Sequence, residues 1–295
     1  MTNKFNNWLF ISLLAFSLQA QDDTSLLSEI QSTSTLVEEG QLKKADSILS
    51  RIGAQLDSSH SPEVLFGFYE AKGSLSFNRH DFAAASKEFE KAIGFARNLG
   101  DSLKLTTVLS AQGNVFNSIG EDVKALGYYD QAISYLPKGN EKKYYAILLN
   151  KSTATQGLAR YDETLEYLEQ ARNYFKKTGH TQNAAISENN IGEVYRNHLE
   201  DYDKALKHYK AALELNLKIN SRAGLARNYH NLGVLHKTLG ELELAARYLE
   251  KAMDYRKQTD DLGGMASTYN VMGSVSMAQS KLAAAEKYFQ RSLEI

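Results

Sequence analysis

The chain has 295 residues, 34 Lys+Arg against 35 Asp+Glu, two Pro and no Cys. Without Cys there are no disulfides, thiolate metal sites, Cys nucleophiles or acyl-thioether anchors, and a net charge of −1 gives no broad basic field for sequence-independent nucleic-acid binding. Two Pro (Pro62 and Pro137) among many Ala, Leu, Lys and Glu point to a mostly helical protein large enough for a substantial core.

Residues 1–20 have the order of a secretory signal peptide. Lys4 precedes an apolar run from Trp8 to Phe16, and small and polar residues follow to Ala20, so cleavage is expected between Ala20 and Gln21. The run is shorter than the ~20 residues that span a bilayer, and no later segment is apolar enough to do so. The mature protein is therefore expected in the periplasm or secreted, with no membrane span in this chain.

From residue 21 onward the sequence repeats itself. A degenerate copy occupies 21–60, with Thr33, Gly40, Leu42, Ala45 and Leu49 at the recurring places. Six fuller copies fill 61–295, the last incomplete, anchored at Gly73, Gly113, Ser152, Gly192, Gly233 and Gly273 with spacings of 40, 39, 40, 41 and 40. Twelve residues after each anchor stands a small residue: Ala85, Ala125, Thr164, Ala245 and Ala285. After Gly192 the gap is thirteen, to Ala205, so the turn HLEDYD carries one extra residue. Four residues further on comes Phe89, Tyr129, Leu168, Tyr209, Leu249 or Phe289, and three beyond that Ala92, Ala132, Ala171, Ala212, Ala252 or Ser292.

This pattern predicts antiparallel helix pairs. Small residues let the two helices approach, the large residue fills the space above them, and a short turn, often with Gly (Gly40, Gly120, Gly240), reverses the chain. One pair cannot bury its own apolar face, so neighbouring pairs must stack.

These small/large/small residues resemble the tetratricopeptide repeat family over nearly all of the mature chain. The resemblance implies an all-α protein, a right-handed α-solenoid of stacked antiparallel helix pairs. The period of forty departs from the family's usual thirty-four, and the family's Pro near the end of the second helix survives only at Pro137. Forty-residue versions are similar to those of polarity-scaffold proteins and of exported sensory regions of bacterial signalling proteins.

Chemistry-bearing motifs are missing: GxSxG, HExxH and GxxxxGK[ST] do not occur. His230 and His236 are six apart, on different helical faces rather than in a chelating pair, and His236 is expected to pack in the core where other repeats carry Phe116 and Tyr195. No catalytic residue, metal or cofactor is expected.

In the resembled fold the first helix of each pair lines the concave surface. The stripe facing it holds Asn114, Asn150, Asn189, Asn190, Arg196, Arg227, His230, Asn231, Lys237 and Asn270, the candidate binding residues. Asn is a poor helix former, and its amide both donates and accepts, so a row of Asn suits the backbone of an extended peptide. The resemblance implies that role for Asn150, Asn190 and Asn231. The alternative is that these Asn bridge neighbouring first helices or hold water. Arg196, Arg227 and Lys237, with His230 between them, form a basic sector partly offset by Glu193 that suits an acidic segment or faces solvent. It is not the family's terminal-carboxylate clamp, whose basic residues lie in the first repeats, where Ser110 and Asn114 are neutral.

RSLEI at residues 291–295 supplies no polar cap, so further repeats or a partner are expected to cover the last repeat. The expected function is a non-catalytic scaffold that binds a protein or peptide segment. The resemblance extends this to the sensory input of a signalling protein with a histidine-kinase or helix-turn-helix output. The alternative is a structural scaffold of an envelope complex, acting through self- or subunit association.

Overall fold

The computed structural model describes residues 23–37, 39–57 and 59–295. The signal segment 1–20 and its cleavage position lie outside the described residues. Among the described residues there are fourteen helices and no strand. They are α1 (23–37), α2 (Leu42–Gly53), α3 (Pro62–Asn78), α4 (Phe82–Leu99), α5 (Ser102–Ser118), α6 (Asp122–Tyr135) and α7 (Glu141–Gly157). After these come α8 (Tyr161–Lys177), α9 (Thr181–Asn197), α10 (Tyr202–Lys218), α11 (Arg222–Thr238), α12 (Leu242–Gln258), α13 (Leu262–Ala278) and α14 (Leu282–Leu293). The architecture is an all-α repeat solenoid, and it divides into two compact units, Met1–Ile147 and Leu148–Ile295. Among the described residues no helix is long and apolar enough to cross a membrane.

Odd-numbered helices carry the anchors and even-numbered helices the large residues. Each anchor glycine receives the ring or branched end of its own repeat's large residue. A Cβ on Gly113 would lie 2.6 Å from the Tyr129 ring, and one on Gly233 would lie 2.7 Å from Leu249, so no side chain larger than hydrogen fits there without displacing its neighbour. Ala85, Ala125, Ala205 and Ala245 are fully buried, as the close approach of the helices requires. Ser152, at the one anchor that is not Gly in the six fuller copies, is buried with its hydroxyl on the Leu149 carbonyl, and Thr155 pairs with Thr164 at 2.9 Å in the same repeat. The degenerate first copy is a packed helix pair as well, with Thr33 and Ala45 fully buried.

Helix ends follow local chemistry. Asp81, Asp101, Asp201, Ser221 and Asp261 accept backbone N–H groups of the following first turns. Between the two helices of a repeat one residue takes positive φ, at Gly40, Gly120 and Gly240 as expected, but also at His80, Ala159, Glu200 and Ser280. The residue after it donates back five positions, as Glu241 does to His236 at 2.9 Å, closing a Schellman turn. In the turn HLEDYD the matching bond runs from Asp201 back six positions to Tyr195 at 3.0 Å. The extra residue is absorbed in the turn, and both helices keep seventeen residues.

Candidate functional site

Nine of the ten candidate residues lie in the unit Leu148–Ile295, on α7, α9, α11 and α13. Asn114 lies in the other unit, where its side-chain oxygen accepts from the Tyr129 hydroxyl at 2.8 Å.

The Asn residues divide into two groups. Asn189 is 1% exposed and Asn231 6% exposed, and both are held in a network between α9 and α11. The Asn189 side-chain oxygen accepts from Asn231 at 2.9 Å and from Asn228 at 3.1 Å. Glu193 accepts from both Asn189 and Asn231 at 2.8 Å, and Asn216 extends the chain of amides by donating to Asn228. These amides therefore bridge neighbouring first helices. Asn150 and Asn190 are half-buried and Asn270 is exposed. Asn190 touches the network only through a 3.5 Å contact to its side-chain oxygen, which leaves its amide N–H groups available.

The basic sector differs from its sequence reading at two residues. His230 is largely covered, with Nδ1 3.3 Å from the Thr268 hydroxyl. Burial first, then the nearby Arg256 and Arg196, push its pKa down to about 4, so it adds no positive charge at neutral pH. Arg196 lies over the Tyr209 ring, 5.8 Å from its centroid, and donates through Nε to Asn197. Arg227 is exposed and Lys237 half-buried on the same helix, α11. His236 packs in the core as expected, stacked on Tyr248 at 5.2 Å with Nδ1 2.6 Å from Glu241.

Behind this face lies a second polar cluster. Glu188, 3% exposed at its side chain, is bonded to Lys176 and, at 2.6 Å, to His208. Burial works against its charge, but the hydrogen bonds from His208 and Lys176 prevail and hold the carboxyl below its ordinary range. The cluster joins α8, α9 and α10, and it is structural in position.

Three polar residues escaped the stripe. Asn216 and Arg256 stand seventeen residues before their anchors, where other repeats bury Ala96 and Phe175. Asn228 stands five before its anchor, where other repeats bury Val108 and Ile147. Aligning the repeats column by column marks Asn216 and Arg256 as the departures from their column, whereas the column of Asn228 also buries Ser187 and Thr268. Arg256 is the least satisfied of them. Its side chain is 8% exposed, Nε lies 3.9 Å from Asp261, and neither Nε nor Nη1 has a hydrogen-bond partner. Arg227, Asn216 and Arg256 share a cavity of about 310 Å³ beside the first turns of α9, α11 and α13.

The unit Met1–Ile147 has its own cavity of about 450 Å³, with Phe66 beside Glu70, Lys104 and Lys143. Burial raises the Glu70 pKa and lowers that of Lys143. Among the described residues no group of three or more His, Asp or Glu could hold a metal ion.

Tetratricopeptide-repeat profiles match residues 144–218, 183–258 and 265–295. No curated protein matches the chain. Among solved structures, NprR in complex with its cognate peptide NprX is similar over 99% of this chain and 87% of its own, with a TM-score of 0.69 and 16% identity. A Rap protein complexed with Competence and Sporulation Factor is similar over 92% of this chain and 76% of its own, with a TM-score of 0.68 and 15% identity. BtubC (BKLC) from P. vanneervenii has a TM-score of 0.59 and 22% identity over 73% of this chain and 89% of its own. At these identities the likeness concerns the fold.

Proposed function

Because this chain belongs to the tetratricopeptide-repeat family, we propose that its unit Leu148–Ile295 is a non-catalytic scaffold that binds an extended peptide or protein segment along the first-helix face. One observation carries this reading. Asn150, Asn190, Arg227, Lys237 and Asn270 recur on α7, α9, α11 and α13 with accessible polar groups, while the buried Asn189–Asn231–Glu193 network behind them fixes the helices that present them. Peptide complexes of similar solenoids, NprR with NprX and Rap with Competence and Sporulation Factor, support the reading. Arg227 and Lys237 favour an acidic segment.

Asn189 and Asn231 serve in this reading by positioning, and Asn114 lies in the other unit. The signal-peptide pattern of residues 1–20 supports action outside the cytoplasm, in the periplasm or as a secreted protein. A role as the sensory input of a signalling protein rests on the resemblance alone. Selecting binders from a random peptide display library on the full chain tests the binding reading. Enriched peptides whose affinity falls several-fold with Asn190→Ala, and falls with a flatter salt dependence with Arg227→Ala, support it. No enrichment, or binding untouched by substitutions at Asn150, Asn190 and Arg227, overturns it. A second reading, self- or subunit association within an envelope complex, is favoured by the exposed Met277, Leu282 and Leu293 on α13 and α14.

A further inference from the structure

Arg256 is an expensive residue to keep where it stands. A guanidinium with an 8% exposed side chain normally has its donors matched, yet Nε and Nη1 have no hydrogen-bond partner, and the nearest carboxylate, on Asp261, is 3.9 Å away and half exposed. The local backbone is shaped to admit it. A Cβ on Gly264 would meet Asp261 Oδ2 first and lie 2.6 Å from Arg256 Nη1, so the missing side chain leaves room for both, whereas the repeat with Lys104 in that column buries only Ala96 opposite it. Asn216 and Gly224 repeat the arrangement one period earlier, a polar side chain against a glycine. Both polar side chains open on the same cavity, which Arg227 also lines.

We infer that this cavity is a carboxylate subsite, with Arg256 as its buried anchor, for one acidic side chain of the segment bound along the neighbouring first helices. Arg227 and Arg256 against Asp261 leave one net positive charge, which matches a carboxylate better than a phosphate dianion. Gln182 and Ser221 add donors at the rim, and Ile186 and Ala223 form an apolar wall suited to the methylenes of a glutamate. A carboxylate here would supply the partners that the guanidinium lacks. The inference deepens the peptide-binding reading and rests on it for the identity of the partner, but the subsite can be probed alone.

The test is calorimetric titration of the full chain with N-acetyl-glutamate amide, its glutamine isostere and inorganic phosphate at low salt. Glutamate is expected to bind about tenfold or more tightly than the glutamine isostere and at least as tightly as phosphate, and Arg256→Gln to abolish that preference. Lys87→Ala, at an exposed position of α4 in the other unit, should leave it unchanged. Arg256→Met guards against misfolding. Removing an unmatched buried charge should not lower the thermal midpoint of the free protein, whereas glutamate should raise the midpoint of the parent and not of Arg256→Met. Equal binding of the glutamine isostere, tighter binding of phosphate, unaltered binding by Arg256→Gln, or a midpoint that falls in Arg256→Met would each overturn the assignment. Selected peptides that bind without using Arg256 would sink the subsite and leave the scaffold reading intact. Glutamate bound at Arg256 with no peptide selected would do the reverse.

Discussion

Asn189 and Asn231, forty-two residues apart in the chain, share a hydrogen bond of 2.9 Å and both donate to Glu193. The pair ties two successive first helices together through buried amides. Asn189→Ala would leave the Asn228 and Asn231 donors without their shared acceptor, at a cost of ~1–3 kcal/mol. Urea denaturation of the single and double variants checks this, and a coupling energy of ~0.5–3 kcal/mol between the two sites is expected from residues of one network.

Gly113 and Gly127 should respond oppositely to the same substitution. Gly113→Ala drives a methyl into the Tyr129 ring, and overpacking costs ~1–3 kcal/mol. Gly127, within α6, has nothing within 4 Å of a new Cβ, so Gly127→Ala should stabilise by ~0.5–1 kcal/mol. Thermal midpoints that move in the same direction would contradict the packing described for the anchors.

His230 makes stability depend on pH. Its folded pKa, about 4, lies below the ordinary 6.5, so between these values the unfolded chain binds the proton and the folded chain does not. Stability should be unaffected by this group above pH 6.5 and fall by ~1.4 kcal/mol per pH unit as the pH drops toward 4. His230→Gln should flatten that slope, measured by urea midpoints at pH 4.5, 5.5 and 7. An NMR titration of the imidazole gives the same pKa directly.

Export can be read by fluorescence. Trp8 is the only Trp in the sequence and precedes the expected cleavage after Ala20. Processed protein recovered from the cell envelope should show tyrosine emission alone, and a tryptophan band would rule out the cleavage.

The sequence made the helix pairs legible because close helix approach leaves a strict small/large/small signature, and even the one-residue excess before Ala205 shows as the longer bond from Asp201 to Tyr195. The binding face was legible only in part. A helical stripe assumes an isolated helix, whereas the neighbouring first helix covers one side of it. Asn190 and Asn231 occupy the same column, yet Asn190 is half-buried while Asn231 reaches back to Asn189 and Glu193 and is covered. His230 is kept neutral first by burial and then by Arg256 on the next helix and Arg196 on an earlier one, none of which the stripe on its own helix shows. Arg256 itself lies outside the stripe, on a second helix, and only comparison with the buried Ala96 and Phe175 of its column marks it.

The enlarged turn 198–201 shows how the helix pairs keep their register. His198 stacks on Tyr161 at 4.4 Å and meets Gln156 at 3.1 Å, so the turn is fastened to the preceding repeat by its side chain while its backbone takes up the additional length. Spacing between α9 and α10 is therefore dictated by Gly192 against Tyr209, and the linker merely follows. A short reporter sequence or an affinity tag grafted after Glu200 should leave the scaffold intact, giving a handle for immobilising the protein with its first-helix face unobstructed.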